Sequence, residues 1–95
     1  MHYTNYTDKI KKFLKAKNYR EAEKLLTLCV ELTEKESQKE GCGVAPWYYE
    51  QLANIYSDEK RILDEIRILE RYNNQKKAPG MKPKKLKERL LKLLL

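Results

Sequence analysis

The chain predicts an all-α fold of about five helices, and three observations carry that expectation. Apolar residues recur at steps of three and four through most of its length. Strand-like alternation is missing over any useful length, and glycine and proline number only three each. With 95 residues, 41% apolar and 37% charged, the composition suits one small domain over residues 1–95. No long apolar run and no charged-then-apolar N-terminus occurs, so neither a membrane span nor a signal peptide is expected, and a cytoplasmic location is.

The first helix is announced by Thr4, Asn5 and Thr7, each able to cap, ahead of Tyr6, Ile10, Phe13 and Leu14 at helical spacing. It should end near Lys17. Asn18 tolerates a left-handed turn and can cap the next helix, with Glu21 completing a capping box. Tyr19, Ala22, Leu25, Leu26, Cys29 and Leu32 then make one face of a long second helix reaching about Glu40. These two form a first hairpin over residues 5–40.

Pro46 fits the first turn of a third helix, where its missing N–H would be unpaired anyway. Tyr49, Leu52, Ala53 and Tyr56 share one face of it. After Ser57 or Asp58 as a cap, the pattern resumes as Ile62, Leu63, Ile66, Leu69 and Tyr72. So short a joint requires antiparallel helices in contact, a second hairpin over residues 45–72. Beyond the breaker Lys76–Gly80, Pro83 opens a fifth helix over residues 83–95, whose Leu86, Leu90, Leu93 and Leu94 can cap the second hairpin.

The pattern of Tyr49, Leu52, Ala53 and Tyr56 followed by Ile62, Leu69 and Tyr72 resembles a tetratricopeptide repeat. Glu65 departs from it, standing where the second helix usually carries a small residue. Tyr19, Ala22, Leu26 and Cys29 repeat the relation of Ile62, Glu65, Leu69 and Tyr72 at an offset of 43 residues, nine more than the family's usual 34. Lys9 stands where a leucine belongs, so the resemblance covers residues 6–72 and is firmest over 19–29 and 49–72. It implies a concave groove lined by the first helix of each pair, hence by Thr7, Lys11 and Lys15 and by Trp47, Glu50 and Asn54. The basic clamp that some family members close on a peptide carboxylate is not evident.

Charge is uneven. Residues 1–40 hold nine basic against seven acidic side chains, residues 41–72 four against six, and residues 73–95 eight against one, so the net +7 lies in the tail. Such a helix suits nucleic-acid phosphate, an anionic membrane surface or an acidic protein groove, or is simply a solvated face. No aromatic side chain is interleaved with these lysines, and lysine outnumbers arginine seven to one, which weakens stacking and bidentate readings. Leu91 and Leu95 point about 140° and 180° away from Leu86, so they fall outside the capping stripe and are candidates for a homodimer interface.

Catalytic and metal chemistry find little footing. The single histidine is His2, at the terminus, and Cys29 and Cys42 lack the further ligands a zinc site needs. No enzymatic role, cofactor or metal is expected. The carboxylates of Glu21-x-Glu23-Lys24 and Glu31–Lys35 alternate with lysines as on solvated faces. Cys29 lies on an apolar stripe and Cys42 in an exposed loop, and both are expected to be reduced.

The expected function is therefore that of a small adaptor that holds a protein or peptide partner. Trp47 either anchors that partner or packs beneath the loop before it. The alternative is a nucleic-acid accessory protein using the lysine-rich tail, which would show a salt slope near −5 if about six phosphates were neutralised.

Overall fold

Residues 2–95 are described by a computed structural model. After a 3-10 turn at Tyr3–Tyr6, five helices succeed one another: α1 Thr7–Lys15, α2 Tyr19–Glu40, α3 Pro46–Asp58, α4 Ile62–Asn73 and α5 Lys82–Leu94. Each packs on its neighbour in sequence, and α5 also reaches α3. The result is a slab of 35 × 34 × 19 Å. Its core holds Ile10 of α1, Ala22, Leu26, Cys29 and Val30 of α2, Tyr49, Leu52, Ala53 and Ile55 of α3, Leu69 and Tyr72 of α4, and Leu86 and Leu90 of α5.

Both hairpin joints are built the same way. At the first, Lys17 turns left-handed with φ 57°, Asn18 N donates to Phe13 O at 2.8 Å and Lys17 N to Leu14 O at 3.0 Å. At the second, Lys60 has φ 58°, Arg61 N donates to Tyr56 O at 2.7 Å and Lys60 N to Ser57 O at 3.1 Å. These are Schellman closures, which end a helix on its own last carbonyls. Lys17 and Lys60 stand 43 residues apart, the offset of the apolar repeat. The expected caps are thereby replaced. Asn18 makes no side-chain cap and Glu21 leans on Lys24 instead, while Ser57 and Asp58 belong to the last turn of α3. At the N-terminus the His2 ring accepts from Thr4 N, while neither Thr4 nor Asn5 caps α1, which starts at Thr7.

Two carboxylates of α2 are not the solvated charges that their sequence context suggests. Glu34 accepts Arg71 Nε and Nη2 from α4, each at 2.8 Å, and Tyr49 OH from α3 at 2.8 Å. Three turns earlier, Glu23 accepts Arg61 Nη1 at 2.9 Å and Tyr56 OH at 3.1 Å. Two tyrosine–glutamate–arginine clamps thus tie α2 to the second hairpin.

The inward face of α4 is Glu65, Ile68, Leu69 and Tyr72, rotated from the expected stripe. Ile62 and Leu63 are 56% and 68% exposed. Glu65, only 4% exposed, is accommodated because Arg89 of α5 reaches it at 2.8 Å. Lys82 meets Glu50 and Arg89 meets Asn54, so α5 runs alongside α3 and antiparallel to α4.

The two longer connections brace each other. Gly41, left-handed at φ 73°, closes α2, and Val44 then bridges in parallel to Lys77, its N–H donating to Lys76 O at 2.9 Å. Gly43 lies against this segment so closely that a Cβ would fall 2.1 Å from Ala78 N.

A non-glycine residue in the left-handed region costs about 1–2 kcal/mol, of which glycine's greater unfolded-state freedom offsets about half. Lys17→Gly and Lys60→Gly should each therefore stabilise by about 0.5–1 kcal/mol, and the pair should raise the melting temperature by roughly 4–16 °C. Thermal denaturation followed by circular dichroism measures this, and a lower melting temperature would show that the lysine side chains contribute more than their backbone strain takes away.

Candidate functional site

A concave, mostly apolar surface lies where α1 and α3 begin. Pro46 starts α3, Trp47 comes next and is half-buried, and the ring of Trp47 stands edge-on to Tyr48 with centroids 5.2 Å apart. Tyr48 in turn meets Tyr3 edge-on at 5.4 Å and shares a hydrogen bond with Thr7 Oγ1 at 3.1 Å. Lys11 Nζ sits 5.9 Å from the centre of the Trp47 ring, within cation–π range. Together with Thr4 and Ala45 these residues frame an open cleft of about 310 Å³. Its walls are mostly apolar.

The floor of the cleft depends on the N-terminal turn. Tyr3 OH donates to Glu36 Oε1 at 2.8 Å and the His2 ring meets Glu36 Oε2 at 2.6 Å, so α2 holds the turn from below. Those two hydrogen bonds lower the pKa of Glu36. Burial raises the pKa of Tyr3 and of Tyr48, so at neutral pH both phenols keep their protons. The cleft therefore presents aromatic faces, hydroxyls and one ammonium group. A side chain that is apolar along its length fits it best.

Of the six residues expected to line a binding groove, the structure brings three together here, Thr7, Lys11 and Trp47. Lys15 is exposed one turn farther along α1 and outside the cleft. Glu50 and Asn54 share a helix face with Trp47, but α5 crosses that face from Glu50 onward. Glu50 accepts Lys82 Nζ at 2.5 Å and Asn54 Oδ1 accepts Arg89 Nη1 at 2.7 Å. They hold the tail helix rather than open groove. Tyr3, Tyr48 and Ala45 carry no signal of their own in the sequence; only the run Trp47-Tyr48-Tyr49 hints at one of them.

The tail divides in two. Lys82 and Arg89 bind carboxylates of α3 and α4, Lys76 binds Gly41 O, and Lys77 binds Asn73 O and Gln75 O. Lys84, Lys85, Lys87 and Lys92 are exposed and make no ion pair or hydrogen bond among the described residues. Leu86 and Leu90 are buried and Leu93 half-buried, whereas Leu94, expected in the same stripe, is 56% exposed. At 100° per residue Leu94 lies about 80° round α5 from Leu86, at the edge of the face that docks, and so remains uncovered. Leu91, at 51%, and Leu95 are also exposed.

Among the described residues, no cluster of three or more His, Cys, Asp or Glu side chains gathers as a metal site requires, and no helix is long and apolar enough to cross a membrane. No known protein family, curated protein or solved structure matches the chain. The likeness to tetratricopeptide repeats therefore rests on residue spacing alone.

The cysteines are free and differ in environment: Cys42 is exposed, while Cys29 is buried. Burial pushes the Cys29 thiol from 9.0 up to about 11 and the Tyr56 phenol from 10.0 up to about 12. Both are neutral when protonated, so the native state holds these protons more tightly than the unfolded chain. Stability should be level below about pH 9 and fall as pH rises toward 11. Melting temperatures across pH 7–11 test the sign, and a level profile to the top of that range would contradict it. At pH 8 a thiol reagent should label Cys42 alone until denaturant exposes Cys29.

Proposed function

We propose that the chain is a small protein-interaction module, an adaptor that holds a partner by an anchoring side chain. The observation that carries this reading is the open cleft around Trp47, which has aromatic walls and an ammonium group at the rim. Indoles set in such concave, apolar surroundings are the usual anchors of protein interfaces. A linear peptide with one aromatic or branched aliphatic residue suits the size, and a carboxylate beside that residue would meet Lys11.

A second reading remains, that the tail binds nucleic acid, and the free lysines 84, 85, 87 and 92 favour it. Because Lys82 and Arg89 already serve the fold, only four of the tail helix's six cations are left for phosphates. The salt slope expected on duplex DNA is then about −3.6 rather than −5. A peptide seated in the cleft should depend on salt far less.

Trp47 is the only tryptophan, so its emission reports the cleft directly. Selection from a displayed peptide library should yield sequences with one shared apolar anchor, and adding such a peptide should shift the Trp47 emission. Trp47→Ala should abolish the enrichment, and Lys11→Ala should weaken binding by about two- to fivefold, the range of an exposed cation–π contact. Equal enrichment on Trp47→Ala would remove the cleft from the function.

A further inference from the structure

The outer face of α4 and α5 carries apolar surface that nothing among the described residues covers. Ile62 and Leu63 stand exposed on α4, and Leu91, Leu94 and Leu95 on α5. Their relative position is set by the Glu65–Arg89 pair, which joins two antiparallel helices. One turn back from Glu65 brings Ile62 and Leu63, and one turn on from Arg89 brings Leu93 and Leu94, to the same end of the slab. Two antiparallel helices frame a valley, the shape a third helix fills by ridge-into-groove packing.

On α5 the exposed residues Lys84, Lys87, Leu91 and Leu94 share one helix face, spaced three, four and three apart. This is the spacing of a coiled-coil seam, with lysines in its first half and leucines in its second. Among the described residues, none of the four tail-helix lysines that remain free has a carboxylate partner, and the only acidic residue on α5 is Glu88.

We propose that this valley takes an acidic amphipathic helix of a partner protein, its leucine-like residues against Leu91 and Leu94 and its carboxylates against Lys84 and Lys87. Charge complementarity selects this occupant. A second copy of the chain would add further free lysines to the face and only Glu88 of its α5 to neutralise them. A flat lipid surface or a nucleic acid would meet the lysines and leave the paired-helix valley unfilled. The inference rests on the reading of the chain as a protein-binding module but uses none of the residues that line the Trp47 cleft, so the two can fail separately.

The probe is a synthetic helical peptide of about four turns with leucine at the seam positions of one half and glutamate at those of the other. A twin with lysine for glutamate is the control. The wild-type protein should bind the acidic peptide saturably and the lysine twin not at all. Leu91→Ser with Leu94→Ser should weaken binding by at least about tenfold while leaving the melting curve unchanged, since both side chains are exposed. Lys84→Glu with Lys87→Glu should reverse the preference between the twins, and Trp47→Ala should change nothing.

The inference is overturned by unaltered binding in the two serine substitutions. It is equally overturned by a wild-type dimer in sedimentation without peptide that those substitutions dissolve. Stronger binding to phosphatidylserine vesicles or to a 20-base-pair duplex than to the acidic peptide would also assign the face to another partner.

Discussion

The arrangement hangs on two carboxylates of α2. Glu23 and Glu34 are three turns apart on one face, and each receives a phenol from α3 and a guanidinium from the second hairpin, Arg61 at the start of α4 and Arg71 near its end. Because Tyr49 and Tyr56 are two turns apart on α3, and Arg61 and Arg71 bracket α4, both clamps close only in one register of the second hairpin on α2. Apolar packing alone is tolerant of small slides between helices, whereas bidentate arginine geometry is not. Removing one member leaves the others partly desolvated and unmatched, which costs more than the intact pair contributes. The clamps therefore specify the alignment of three helices more than they add to its total stability.

The same logic attaches the fifth helix. Glu65 faces inward where an apolar repeat would place a small residue, and a lone buried carboxylate is strongly unfavourable. Arg89 satisfies it, aided by Asn54, while Lys82 holds Glu50 on the neighbouring helix. Leu86 and Leu90 then bury beside these contacts. Half of the tail's positive charge is consequently structural, and only the lysines facing outward are available to anything else.

Much of this is legible in the residues, and the misreadings share a cause. Helical spacing identifies which side chains lie on one face, so the hairpins, the tail helix and the core positions Leu26, Leu52, Leu69 and Leu86 are all readable. It does not set the rotation of that face toward its neighbours, which is why Ile62, Leu63 and Leu94 are exposed against expectation. Rotation is decided by long-range polar pairs such as Glu65–Arg89, to which periodicity is blind. The cleft is half readable: Trp47 and Lys11 can be placed from their positions near the helix starts, but Tyr3 arrives there only because Glu36, more than thirty residues away, holds its hydroxyl. Glu50 and Asn54 look free in the sequence because nothing local announces the cations that occupy them.

The bracket between Val44 and Lys77 has a consequence for the order of assembly. It closes the chain around α3 and α4, so the second hairpin, its flanking connections and the contact of Gly43 on Ala78 form a loop complete in itself. Such a segment can gain most of its contacts at modest sequence separation, which favours early formation. The helices on either side then have a finished platform to condense on: α2, carrying α1 with it, through its glutamates, and α5 through its arginine. A chain so organised folds from its middle outward, with its two ends the last to join and the first to open.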